Sequence, residues 1–264
     1  MKPIQPYFVL ATDQYLKRPT DDTLVSHFYR FTATKASEKH QLTVPDGATD
    51  IIFACDANDP GALVCGTVSH GTPSPFETGR TYFGVRFAPG VLEHFGNASA
   101  GELADHTYSL ADLLGSAELP ELIADESNFD RQIDLFRMHC SAHLACEKND
   151  VVCELLALIE ARNGNVRVED LERELCYSRR HLSRVFRACT GIGLKSFCRY
   201  VRFQSALACI RDERPASMGN LAARCGYYDQ SHFQREFNEF ASLSPAAYVT
   251  TLQAGGYFDH LQVV

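Results

Sequence analysis

The sequence predicts a two-domain α+β protein. Its N-terminal half is β-rich, of barrel or sandwich character, and is followed by helices; its C-terminal region is all-α, with two helix-turn-helix units joined by a linker helix. Three observations predict this. Up to about residue 100, short apolar runs are broken by turn chemistry; from about Pro89, apolar residues recur with the period of a helix; and between Ser178 and Tyr248 one pattern of N-cap, apolar stripe and polar face occurs twice, 51 residues apart.

The runs 24–31, 41–44, 49–54, 62–65 and 80–87 read as strands, separated by turns such as Pro45-Asp46-Gly47 and Thr72-Pro73-Ser74-Pro75. Aromatics at the mouth of such a barrel, among them Phe31 and Phe87, would line a small-molecule pocket. The ligand candidates are Phe28, Tyr29, Phe53, Tyr82 and Arg86, although alternation sends about half of such rings into an ordinary core. Arg86 stands in a strand between Val85 and Phe87, so it either faces solvent, meets an acid such as Asp46 or Asp50, or holds an anionic ligand. Asp46 also has an ordinary role as the turn-former of Pro-Asp-Gly.

Helical spacing then takes over, first at Val91, Leu92 and Phe95, next at Leu110, Leu113 and Leu114, and most regularly at Phe129, Ile133, Phe136, Cys140 and Leu144. These helices either couple domains or subunits, or cover the β layer. His139, His143 and Cys146 follow at i, i+4 and i+7, a spacing that can place three soft ligands on one face. No fourth ligand is evident, so a solvated or packed helix is the ordinary reading and no metal or cofactor is expected. The polar stretch Lys148-Asn149-Asp150 reads as a hinge, which divides the chain into 1–150, 151–250 and a tail 251–264 that either packs back or stays loose.

A helix over 151–162 opens the second region, with Val152, Leu155, Leu156 and Ile159 inward. In the first unit Leu171 and Leu175 mark a leading helix and Ser178 an N-cap. Leu182, Val185, Phe186 and Cys189 then turn inward, leaving Arg179, Arg180, Ser183, Arg184 and Arg187 outside. Gly191 closes that helix. Phe197, Val201, Ala206, Leu207 and Ile210 predict a linker helix of about four turns. In the second unit Leu221, Ala222 and Cys225 precede Gly226, and Asp229 caps a helix whose stripe is Phe233, Phe237 and Phe240. Its open face holds Gln230, Ser231, Gln234, Arg235 and Asn238. Ser244-Pro245 starts a last helix that Tyr248 packs down.

These residues resemble the AraC/XylS family of transcriptional regulators. LAARCGYYDQSHFQREFNEFASLSPAAY is similar to that family's signature almost position for position, SRRHLSRVFRACTG is similar in the first unit, and the likeness spans 151–248. Glu172 and Cys176 depart from it, standing where the family usually has Ala and Gly. VPDGATDIIF, CGTVSHGT and FGVRFAPG are similar to an N-terminal domain found on some AraC-type regulators, whose position implies sensing. The resemblance implies that Arg180, Ser183 and Arg184, with Gln230, Ser231, Gln234 and Arg235, face the bases of double-stranded promoter DNA. Arginine suits guanine and glutamine suits adenine. Phosphates would be met by the helix starts at Ser178 and Asp229, and by Arg179, Arg187, Lys195 and Arg224. A small-molecule effector, a homodimer and, for an activator, RNA polymerase are the further partners it implies.

Charge agrees with that division. Residues 1–150 carry 11 Lys and Arg against 21 Asp and Glu, whereas residues 151–264 carry 14 against 12, with 13 of the 14 arginine. No run of apolar residues approaches membrane-span length and the start MKPIQPYF lacks a secretion pattern, so no membrane and a cytoplasmic location are expected. The ten cysteines form no CxxC pair and read as reduced, mostly structural thiols. A cysteine- or metal-responsive regulator is the alternative. A β-domain enzyme fused to a DNA-binding module is a third reading, but no Gly-x-Ser-x-Gly, no His-x-His with downstream Glu and His, and no glycine-rich phosphate loop is present, so no enzyme is expected.

Overall fold

The computed structural model describes residues 4–35, 42–92, 94–140, 149–213 and 217–264. The first part of the chain runs α1 (Pro6–Leu10), β1 (Tyr15–Pro19), β2 (Val25–Thr32), β3 (Leu42–Thr43), β4 (Asp50–Ala54), β5 (Gly61–Cys65), β6 (Thr72–Pro73), β7 (Thr81–Phe87), β8 (His94–Phe95) and β9 (Ala98–Ser99). There follow α2 (Ala100–Leu103), β10 (Thr107–Ser109), α3 (Leu110–Leu114), α4 (Glu118–Asp125) and α5 (Phe129–Cys140). One seven-stranded sheet has the order β10-β5-β4-β7-β2-β1-β11, where β11 (Leu261–Val263) comes from the C-terminal tail and pairs with β1 in parallel.

The expected barrel or sandwich is therefore corrected to an open sheet with helices on both faces. Alternation sorts its side chains cleanly. Phe28, Ile51, Phe53, Phe83, Val85 and Phe87 pack with Leu110, Leu119, Ile123, Phe129, Ile133 and Phe136 of α3, α4 and α5. Their neighbours Tyr29, Phe31, Ile52 and Tyr82 point the other way, into a cluster shared with α1 and the C-terminal helices. Both faces are apolar because both are covered, a pattern that sequence alternation does not distinguish from a barrel strand. Gly84 is part of this arrangement. Its cross-strand partner is Tyr29, and a Cβ there would fall 1.9 Å from that ring's Cζ.

The remaining helices are α6 (Asp150–Ala161), α7 (Val168–Leu175), α8 (Arg179–Thr190), α9 (Leu194–Glu213), α10 (Met218–Arg224), α11 (Gln230–Ala241), α12 (Pro245–Ala254) and α13 (Tyr257–His260). They pack against the sheet through specific bonds as well as apolar area. The Ile4 amide donates to Gln204 Oε1 at 2.8 Å, Gln204 Nε2 donates to the carbonyls of Pro45 and Ile4 at 3.0 and 3.2 Å, and Tyr7 Oη donates to the Ala241 carbonyl at 2.9 Å. Gly191 caps α8 at φ 74°, and a Cβ on it would lie 2.2 Å from the Ala100 carbonyl oxygen, so the same residue ends the helix and admits α2.

Candidate nucleic-acid interface

Local chemistry builds two equivalent readers. Ser178 Oγ accepts the His181 amide at 3.4 Å to start α8, and Asp229 Oδ1 accepts the His232 amide at 2.7 Å to start α11. Leu182, Phe186 and Cys189 bury one face of α8, and Phe233, Phe237 and Phe240 bury one face of α11. The opposite faces carry what the spacing predicts. Arg179, Arg180, Arg184 and Arg187 are exposed on α8 with Ser183 half-buried, and Gln230, Ser231, Gln234, Arg235 and Asn238 are exposed on α11. Among the described residues, Arg180, Arg184, Arg187 and Arg235 have no carboxylate partner, which leaves their guanidinium groups free for an anion.

Two of the expected phosphate contacts have competitors within the chain. Arg224 is held by both Glu213 oxygens at 2.6 and 2.8 Å. At the start of α8, Glu172 accepts the Arg179 amide, and Glu169 lies 3.7 Å from the Arg179 guanidinium. The second unit has Ala223 where Glu172 stands in the first. Among the described residues the carboxylate at the start of α11 is that of its own N-cap, Asp229.

The linker helix fixes α11 by charge. Glu236 is 3% exposed on α11 and is met by Arg199 at 2.8 Å and Arg202 at 3.2 Å, both from α9, while Glu239 takes the other end of Arg199 at 2.7 Å. The same two arginines lie over Phe240 and Tyr227, at 4.7 and 4.8 Å from the ring centroids. They belong to the packing of the readers and not to the open face.

A cavity of about 830 Å³ lies between the sheet and α9, bordered by Tyr15, Lys17, His27, Arg86, Gln204 and Arg211 among others. Arg86 is 1% exposed and meets both acids named from the sequence: Nε donates to Asp50 Oδ1 at 2.9 Å, Nη1 to Asp46 Oδ2 at 2.8 Å, and Nη2 to Asp50 Oδ2. Gln5 extends the network, donating to Asp46 Oδ2 at 2.8 Å and to the Val44 carbonyl at 2.7 Å. Burial, then the nearby Lys17 and Arg86 charges, push the His27 imidazole well below its usual range and keep it neutral.

A helix-turn-helix domain model matches residues 171–251, and a domain of unknown function (DUF6597) matches residues 22–109. The chain carries an AraC-type helix-turn-helix domain at its C-terminus. No curated protein matches the chain. Among solved structures it is similar to the DNA-binding domain of AdpA in complex with a target DNA, at 27% identity and TM-score 0.37, over 40% of this chain and 96% of that one. The C-terminal domain of AraT from Geobacillus stearothermophilus is similar at 24% identity and TM-score 0.36, over 39% and 86% of the two chains. ToxT from Vibrio cholerae O395 is similar at 12% identity and TM-score 0.46, over 90% and 96%.

The ligand candidates are scattered. Phe28 and Phe53 are core rings beneath α5, Tyr29 covers Gly84, and Tyr82 Oη accepts the Glu77 amide at 2.8 Å, so none of the four lines a barrel mouth. Arg86 alone borders the large cavity. His139 Nδ1 donates to the Leu135 carbonyl at 2.9 Å, and His143 and Cys146 lie outside the described residues. Among the described residues no three His, Cys, Asp or Glu side chains converge as a metal site, and no helix is long and apolar enough to cross a membrane.

Sequence reasoning passed over one matched pair. Tyr177 and Tyr228 occupy the same place in the two units, one residue before each N-cap, and are 43% and 93% exposed. The 51-residue repeat contains that signal. Tyr177 stacks on His181 with centroids 4.9 Å apart.

Proposed function

We propose that this DNA-binding transcriptional regulator reads promoter DNA with α8 and α11 in successive major grooves, and that a small molecule in the cavity beneath α9 sets how the two helices are presented. The grooves on one face of a duplex are roughly 34 Å apart, and fitting both readers bends the DNA to some degree. Arg180, Ser183 and Arg184 of α8, with Gln230, Ser231, Gln234 and Arg235 of α11, meet base edges. Arg179, Arg187, Lys195, Asn238 and the two turn tyrosines meet the backbone. The output is activation of nearby genes through contact with RNA polymerase.

The observation that carries the sensing half is Gln204. It is 2% exposed, borders the cavity, and bonds the N-terminal segment and the Pro45 loop to the helix that carries both readers. A ligand that displaces Gln204 moves α9, and with it both units. The test is binding of the full chain to a genomic fragment library at physiological salt. One enriched sequence of about 17–20 base pairs supports two readers. On that sequence Arg184→Ala and Arg235→Ala should each cost ~1–3 kcal/mol while sparing unrelated DNA. Equal loss on both DNAs reassigns them to phosphate, and no enrichment sinks the two-reader proposal. An effector identified from the target genes should shift the affinity of the parent chain and not of Gln204→Leu.

A further inference from the structure

Both reader helices end against the N-terminal domain. At α11, Tyr7 of α1 donates its Oη to the carbonyl of Ala241, the last residue of the helix, at 2.9 Å. Beside it, Gly71, which leads into the two-stranded ribbon of β3 and β6, comes so close that a Cβ on it would lie 3.0 Å from both the Phe240 carbonyl oxygen and Ser242 Oγ. At α8, the Ala100 carbonyl of α2 takes the space that a side chain on the C-cap Gly191 would need.

The two grips hang from opposite faces of one strand. Leu103 of α2 is buried with Phe83, Val85 and Phe87 of β7. From the other face of β7, Arg86 Nη1 donates to Asp46 Oδ2, Gln5 Nε2 donates to the same oxygen at 2.8 Å, and Gln5 Oε1 accepts the Val44 amide at 2.9 Å. Gln5 directly precedes α1 and Val44 directly follows β3, so α1 and the ribbon are tied to β7 together.

We infer that these contacts make the N-terminal domain a spacing gauge, in which Tyr7 and Gly71 at one reader and α2 at the other set the half-site separation the chain accepts, a role that rests on α8 and α11 both reading bases. The linker grips α11 along its flank, through Arg199, Arg202 and Glu236. A helix held along one flank can still tilt. Base contacts come mainly from the start of such a helix. α11 has 12 residues and is therefore about 18 Å long, so a tilt of about 10° about its C-terminal end carries its start by about 3 Å. One base pair advances the duplex by about 3.4 Å. A second fixed point at the end of each reader thus selects between neighbouring spacings, which the flank contacts with α9 alone do not.

The test compares the full chain with Tyr7→Phe, which removes the bond to Ala241, and with Gly71→Ala, which wedges the ribbon away from the end of α11. The DNA is the sequence the parent selects, with base pairs added or removed between its two half-sites. The parent should lose about ten-fold in affinity for a change of one base pair, and in both variants that loss should shrink to about three-fold or less. A lowered stability reduces the active fraction and scales every spacing by one factor, so it leaves these ratios alone. Arg235→Ala, which alters a base contact and not the gauge, should likewise weaken all spacings equally. Parent-like ratios in both variants, or a parent indifferent to spacing, overturn the gauge while two half-sites remain. Selection of a single half-site overturns the two-reader proposal and the gauge with it.

Discussion

The carboxylate of Glu172 on α7 accepts the backbone amide of Arg179, the first residue of α8. That amide is one of the orphan donors with which a helix start holds a phosphate, so an internal anion already occupies the place DNA would take. Glu172→Ala should raise affinity for any duplex by about five-fold and steepen its salt dependence by roughly one phosphate. Fluorescence anisotropy on unrelated DNA at several salt concentrations measures both. Unchanged affinity and slope would show that α8 approaches DNA along its side and not by its start.

Glu236 takes the charge of Arg199 and Arg202 while almost wholly buried. Glu236→Ala leaves two arginines without their shared acid. Because those arginines remain 31% and 15% exposed, the cost should be about 2 kcal/mol, below that of a fully buried pair. Urea unfolding measures that loss. In a DNA selection, base preference should fade at the second half-site and persist at the first.

His27 titrates below its ordinary range because it is buried beside Lys17 and Arg86, with Ser26 Oγ 3.1 Å from its Nδ1. The unfolded chain binds a proton near pH ~6.5, and the folded chain binds it only at lower pH. Stability contributed by the neutral ring is therefore complete above that pH and is lost as pH falls below it, at up to about 1.4 kcal/mol per pH unit. Urea midpoints between pH 7.5 and 5.5 should fall in the parent and fall less in His27→Gln. Identical slopes would place the pH dependence elsewhere.

Cys176 ends α7 with φ 57° and ψ 28°, the left-handed conformation that disfavours a side chain. Cys176→Gly should stabilise the chain by about 0.5–1 kcal/mol, since relief of about 1–2 kcal/mol of strain exceeds the added unfolded-state entropy. Thermal unfolding of parent and variant decides the sign.

The two readers were legible because everything that makes them is local. Ser178, Asp229 and Ser244 cap, Gly191 stops, and Phe233, Phe237 and Phe240 repeat at helical spacing; a second copy then confirms the first. The acids for Arg86 were legible for the same reason, since Asp50 lies in a neighbouring strand and Asp46 in the turn before it. What escaped depends on distant partners. Glu236 interrupts an aromatic stripe, and its burial makes sense only with Arg199, 37 residues earlier. The sheet read as a barrel because Phe28 and Tyr29 are both buried on opposite faces, and the covering layers are supplied by α3 to α5 on one side and by α1 with the C-terminal helices on the other. Nothing in LQVV announces a strand.

That last strand has a kinetic consequence. Leu261, Gln262 and Val263 align with Tyr15, Leu16 and Lys17, so the earliest strand of the sheet acquires its outer neighbour only after every reader helix has left the ribosome. A parallel pairing over that separation is among the slowest contacts a chain can close. During synthesis the nascent sheet presents the open edge of β1 until β11 arrives, an interval in which a pausing or overcrowded chain would pair with a neighbour instead.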